Sequence, residues 1–410
     1  MPTTPTFGIP LTLLAAALLF CPTLSSAQSP CAPAQQQAAA NVTRIRTQLA
    51  SIKLASDDIG YEVPATAQTL LPQLKDALAQ AARAVVACHD TTTTPAVIAS
   101  ELAHLLHTND PAPAATDQAA SQPPYGTDLT LQAVSLTPTM LSLQFRFNIA
   151  CGFDSLWMVF EAKNNLWHEA LDWKAPPYKE VSGAFGDFFL TAALTTDTAG
   201  GWRLVAAHGT PWCTSRFSGF KLDVLAPSSN PASPRVVWNT GRAYSRGDYV
   251  TRLRATGDTL DFRTNVPALD FDGYERTVVY RYQVAKDVVT RVGPIAVNGR
   301  GFVEEWLASP WQEASAFSNP ASLAALKAAH DRYTSNGSSK DIWTYHYGPV
   351  WACHDSAKHF QVELDVDDAH TGDRASYYQI LTNGNGYTMM VADSTHPDMT
   401  CAGPDLMKKK

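Results

Sequence analysis

The cysteines constrain this chain more than any other feature. Beyond the first apolar stretch six remain, Cys31, Cys88, Cys151, Cys213, Cys353 and Cys401, and they fall into three well-separated couples. Six cysteines allow fifteen pairings. Each couple, however, lies inside one stretch of distinct residue patterning, which predicts one bridge per compact unit: Cys31–Cys88, Cys151–Cys213 and Cys353–Cys401. A bridge closing a loop of about fifty to sixty residues is worth roughly 4 kcal/mol on the chain-entropy model. No Cys-x-x-Cys pair occurs, so neither a zinc ribbon nor a dithiol redox site is supported.

The leader agrees with an oxidising destination. Ile9 to Phe20 is an apolar run followed by Ser25-Ser26-Ala27, the form of a secretory signal peptide spanning residues 1–27 with cleavage after Ala27. No Lys or Arg precedes Arg44, so the usual cationic start is missing, and Phe20 stands where a lipid-attachment motif before Cys21 needs a small residue. The reading is export without a lipid anchor, to the periplasm or the extracellular space, where disulfides persist. No apolar run approaches the roughly 18–20 residues of a membrane-spanning helix, so no transmembrane helix is expected in the mature chain.

Periodicity divides the rest. In residues 28–108 the stripes Val42, Ile45, Leu49, Ile52, then Leu70, Leu74, Leu78, Val85, then Ile98, Leu102, Leu105, Leu106 predict a helical hairpin with a third short helix. Residues 109–126 form a Pro/Ala-rich linker. Residues 127–298 are β-rich: Leu141, Leu143, Phe145, Phe147 and Ile149 alternate with polar residues as in a half-buried strand, and Asn164-Asn165 turns a hairpin. A second Pro-rich stretch, 226–235, reads as an internal linker before further short strands. Residues 299–410 return to helix and then strand, with Ser309-Pro310 and Gln312 as a capping box, Asn319-Pro320 as a second helix start, and a short basic tail. The class is α+β and mostly antiparallel: a helical hairpin, a sandwich- or barrel-like centre, and a C-terminal module of helix plus antiparallel sheet; the element order of that last module is similar to cystatin-like or nuclear-transport-factor-2-like architectures and assigns no function.

Charge excludes one broad class. Lys plus Arg is 31 against 38 Asp plus Glu, a net charge of 31 − 38 = −7, so a conventional nucleic-acid binder is not expected. Catalytic signatures are missing: there is no Gly-x-Ser-x-Gly elbow and no phosphate loop, and His168-Glu169 lacks its second histidine at Asp172. Three groups of residues remain. Asp270, Asp272 and Glu275 are the acid/base candidates for a hydrolase, since glycoside hydrolysis needs two carboxyls about 5–9 Å apart, although Asp272-Gly273 also reads as a turn. Arg252, Arg254, Arg263 and Arg281 fall at alternating strand positions and would present one cationic face to an anionic or glycan ligand, unless Asp258, Asp261 and Asp287 pair with them across the strands.

The third group, Glu363, Asp365 and Asp367, alternates with Val362, Leu364 and Val366. It reads first as a solvent-facing strand surface; calcium is the ion such a row would hold, although the EF-hand glycine is replaced by His370. Glu304 and Glu305 read as acids in the first turn of a helix, placed there by its dipole. The reading is a non-catalytic binding module without a cofactor, with a secreted hydrolase or a purely structural envelope protein as alternatives. Alkylation of the unfolded, unreduced mature protein is expected to label none of its six cysteines, and one labelled thiol in mass spectrometry breaks the one-bridge-per-unit scheme.

Overall fold

The structure, a computed structural model, describes residues 31–53, 61–108, 125–195, 201–212, 217–246, 251–270, 275–293, 295–335, 343–368, 372–384 and 386–408. The leader, nearly all of the 109–126 linker, Cys213 and Asp272 lie outside the described residues. The described part is α+β, with four antiparallel sheets of four strands and a few helices.

The three predicted helices form as α1 (Ala32–Ala50), α2 (Ala65–Val86) and α3 (Pro95–Leu106). Their apolar stripes are the buried faces: Val42, Ile45, Leu49, Leu74, Leu78, Val85, Ile98 and Leu102 are almost wholly covered. The α3 helix stops at His107, whose left-handed backbone terminates it. Cys31, at the start of α1, is bonded to Cys88, just past the end of α2, so the open end of the hairpin is tied as expected. Cys151 is also oxidised.

The helices cover one face of a first sheet, β1 (Thr130–Thr137), β2 (Met140–Ile149), β3 (Gly152–Lys163) and β4 (Leu166–Lys174). Asn164 and Asn165 both have positive φ (53° and 61°), as a two-residue hairpin turn between β3 and β4 requires. The β2 strand departs from the half-buried expectation. Leu141, Leu143 and Phe145 face the helices, but Ser142, Gln144 and Asn148 are buried as well. The cause is a second sheet on the other side. It comprises β5 (Gly186–Thr195), β6 (Trp202–Gly209), β7 (Phe217–Ala226) and β8 (Arg235–Ser245), and its Leu204, Ala206 and Leu225 share a core with Met140, Trp157 and Leu171. The buried polar groups are satisfied: Trp157 Nε1 of the first sheet donates to Ser142 Oγ at 2.8 Å, Gln144 Nε2 donates to Phe189 O of the second at 3.1 Å, and Asn148 donates to Asp128.

The third sheet, β9 (Arg252–Thr256), β10 (Thr259–Pro267), β11 (Glu275–Ala285) and β12 (Val288–Val292), packs on the opposite side of the second. Alternation along β6 shows the layering directly: Leu204 and Ala206 face the first sheet, Val205 and Ala207 the third. Each sheet is a meander whose strands pair in sequence order. Sequence patterning missed β1 and β8. The Pro-rich stretch 226–235 is the connection inside a hairpin, with Ala226 paired to Arg235, and β8 follows at once.

The C-terminal part has α4 (Gly299–Ala308), α5 (Trp311–Ala314) and α6 (Leu323–Ser335) on a fourth sheet, β13 (Trp343–Ala352), β14 (His359–Asp368), β15 (Gly372–Thr382) and β16 (Tyr387–Ser394). Phe302, Val303, Trp306 and Leu307 bury against Val362, Leu364 and Ile380. The predicted capping box at Ser309 does not form, because Ser309 ends α4 and Pro310 precedes the short α5 without a side-chain cap. Asn319 does cap, accepting from Ala321 N. Cys353 and Cys401 are bonded as expected, and beyond them the tail returns to β13, where Leu406 N donates to Val350 O at 2.9 Å.

Among the ion pairs that join the helical layer to the first sheet, one is wholly buried. Lys75 Nζ on α2 lies 2.9 Å from Asp154 Oδ2 on β3, with side-chain exposures of 2% and 0%, and Tyr178 also donates to that carboxylate. Removing one partner of a buried pair strands the other charge, at about 3–5 kcal/mol. Lys75→Met is therefore expected to lower stability by that amount, and an unchanged urea midpoint would contradict it.

Candidate functional site

Where the second and third sheets meet α4, charge is concentrated out of water. Glu305, fully buried on α4, is held by guanidinium groups from three strands: Arg242 of β8 at 3.1 Å, Arg276 of β11 at 2.8 Å and Arg291 of β12 at 2.9 Å. Ser309 Oγ donates to it as well, and Glu313 takes the second contacts of Arg242 and Arg291. Burial alone would raise the Glu305 carboxyl, but Arg291, Arg276 and Arg242 outweigh it and hold the pKa down to about 2. Neither glutamate sits in a first helical turn as expected. The α4 helix starts at Asn298, whose side chain caps Gly301 N, so Glu304 and Glu305 fall in its second turn and point into the junction.

Glu304 is the other half of this junction. One of its oxygens accepts from Leu269 N at 2.8 Å and lies 3.3 Å from Arg276 Nε; the other accepts from the Tyr347 hydroxyl. Burial raises its pKa against the pull of Arg276. Beside it opens a cavity of about 240 Å³, lined by Glu275, Arg276, Thr277, Arg300, Glu304 and Tyr347 among others. Arg300 lies over the Tyr347 ring, 4.4 Å from its centroid, and donates to Gly348 O at 2.7 Å. Two arginines and two carboxylates thus line one small space, with Arg276 already in contact with Glu304.

Of the acid/base candidates, Glu275 lines this cavity and accepts from Asn265 Nδ2 at 3.0 Å. Asp270 is buried nearby, where its Oδ2 accepts from Tyr347 N at 3.0 Å. Sequence reasoning named Glu304 but assigned it to the helix dipole, and it did not see Arg276, Arg300 or Tyr347. The one local signal was the Asn298 cap, which sets the register of α4.

The four arginines share one face of the third sheet. Arg252 lies opposite Arg263, and Asp261 lies between Arg254 and Arg281. Arg281 is paired: its Nε and Nη2 contact Asp261 at 2.5 and 2.6 Å. Arg252 and Arg254 are exposed and have no hydrogen-bond or ion-pair partner among the described residues. Arg263 is exposed beside them. Asp287 is drawn elsewhere, to Arg203 at 2.8 Å and Arg235 at 3.1 Å.

Glu363, Asp365 and Asp367 share the outer face of β14, opposite buried Val362, Leu364 and Val366. Asp365 lies across from His346 and Asp367 across from Asp373. Among the described residues only Cys353, His359 and Cys401 bring three ligand-type atoms together, and those cysteines are committed to a disulfide.

No protein-family model matches the chain, and no curated protein matches it. Among solved structures it is similar to a Penicillium chrysogenum α-L-arabinanase complexed with arabinobiose, at 11% identity and TM-score 0.26 over 65% of this chain and 68% of that one. A second is a mutant α-L-arabinofuranosidase from Fusarium graminearum with an iminosugar inhibitor, at 7% identity and TM-score 0.23 over 64% and 66%. Superpositions this loose carry no argument about activity.

A carboxyl held near 2 in the folded state and near 4.3 in the unfolded chain stabilises the fold above the unfolded value and loses that contribution as pH falls through the folded one. The Glu305→Gln variant is therefore expected to be less stable than the parent at neutral pH, with the difference shrinking as the pH falls from about 4.5 towards 2. Urea titrations at pH 7 and pH 3 measure it; equal gaps at both would remove Glu305 from this role.

Proposed function

We propose that this is an exported, disulfide-stapled binding protein whose third sheet presents a cationic face to an anionic polymer. The observation that carries the reading is the pair Arg252 and Arg254: exposed, on one strand face, without a described partner, and next to Arg263. The chain as a whole is acidic, at −7, so attraction for a polyanion has to come from a local concentration of guanidinium groups. Arginine suits the task, because its planar fork binds carboxylate and sulfate oxygens in pairs and keeps its charge at all relevant pH. The disulfides and the leader support an extracytoplasmic location. A binding role is preferred to hydrolysis because Asp270 and Glu275 are each engaged by a structural donor, the Tyr347 amide and the Asn265 side chain.

Binding to immobilised polygalacturonate and heparin, measured across a salt series, tests this. The parent is expected to bind and to weaken with salt, and the double variant Arg252→Glu with Arg254→Glu to lose at least tenfold in affinity with a shallower salt dependence. Equal retention of parent and double variant would overturn the reading.

A further inference from the structure

Part of the lining of the cavity at the start of α4 lies on the same sheet face as the arginine row. Residues at alternate positions of β11 point to one side, so Glu275 and Thr277, which line the cavity, share a face with Val279 and Arg281. Asn265 of β10 ties the two cavity residues together: it donates to Glu275 and accepts from Thr277 Oγ1 at 2.9 Å. A chain lying along the arginines would reach this cavity at the end of the row.

The cavity's chemistry is mixed: Arg276, whose side chain is 10% exposed and lies 3.3 Å from Glu304, and Arg300, which lies over the Tyr347 ring, supply its cations. Arg276 Nη1 and Arg300 Nε are buried with no hydrogen-bond partner. Buried N–H groups left without acceptors are costly, and a guanidinium N–H is best met by a carboxylate. The α4 N-terminus, capped at Asn298, adds its positive dipole end to the same lining. Its acceptor oxygens belong to Glu275, Glu304 and Tyr347, whose remaining lone pairs can accept from hydroxyl groups. A dianion would meet these carboxylates, and a neutral sugar would leave the guanidinium donors facing hydroxyls only. A unit carrying one carboxylate and several hydroxyls satisfies both the donors and the acceptors. The volume, about 240 Å³, equals roughly eight waters at ~30 Å³ each, room for a single monosaccharide.

We infer that this cavity binds one uronate unit of an acidic polysaccharide, with its carboxylate on Arg276 and Arg300 and its hydroxyls on Glu275, Glu304 and Tyr347. This rests on the cationic-face reading for the polymer, but the pocket has its own probe. Calorimetric titration with free galacturonate and glucuronate, against galactose and glucose, reads it directly. The full chain is expected to bind at least one uronate, and tenfold or more tighter than the matching neutral sugar.

Two variants act on different parts of the lining. Arg300→Gln removes a donor, and Val297→Trp obstructs the rim, where Val297 is 52% exposed and outside the ion network. Each is expected to weaken uronate binding at least tenfold while leaving the urea midpoint near that of the parent. The Arg252→Glu, Arg254→Glu double variant should bind free uronate as the parent does. Uronates binding no better than neutral sugars, or binding unaffected by a folded Val297→Trp protein, would overturn the inference. Polymer binding without free-uronate binding would sink the pocket alone; free-uronate binding without polymer binding would sink the cationic face alone.

Discussion

The molecule turns on one carboxylate that water never reaches. Glu305 draws Arg242 from the second sheet, Arg276 and Arg291 from the third, and so fixes both to α4 and through it to the C-terminal sheet. A buried ion cluster of this kind adds little net stability against a well-packed apolar alternative, because desolvation consumes most of the attraction. Its effect is on geometry. Once three cations converge on a single site, any slippage between layers strands a charge, and alternatives that an oily junction would tolerate become expensive. The stacked rings around it, with Arg291 4.7 Å from the Tyr280 centroid, fill the remaining space.

That junction caps an arrangement in which sheets are used from both sides. Helices cover one face of the first sheet, the second covers its other face, and the third covers the far side of the second. Among the described residues of these three sheets, the outermost layer keeps an uncovered face, and Arg252 and Arg254 stand there. The cationic surface is thus a product of stacking: an inner sheet could not have held such residues without partners.

Much of the scaffold was legible and most of the site was not. The stripes beginning at Val42, Leu70 and Ile98 report helices because their period is set by the backbone alone. The couples Cys31–Cys88 and Cys353–Cys401 follow from each unit being patterned separately. Alternation along β2 located a strand but misjudged its surroundings, since Ser142 and Gln144 look like solvent-facing residues until a second sheet covers them. The β8 strand was hidden because Asn239-Thr240-Gly241 carries turn-forming residues within it. The junction was invisible for a simpler reason. Arg242, Arg276, Arg291 and Glu305 are spread over four elements with no shared spacing, and only tertiary packing brings them together.

The route of the final residues has a practical bearing. The chain beyond Cys401 doubles back along β13, where Asp405 accepts from Val350 N at 3.0 Å, and delivers Met407 to the wall of the cavity. Part of that wall is therefore furnished by a tail whose anchor is a sulfur–sulfur bond. Reductants added during purification would slacken it, and are best avoided in any preparation meant to keep that recess in its folded shape.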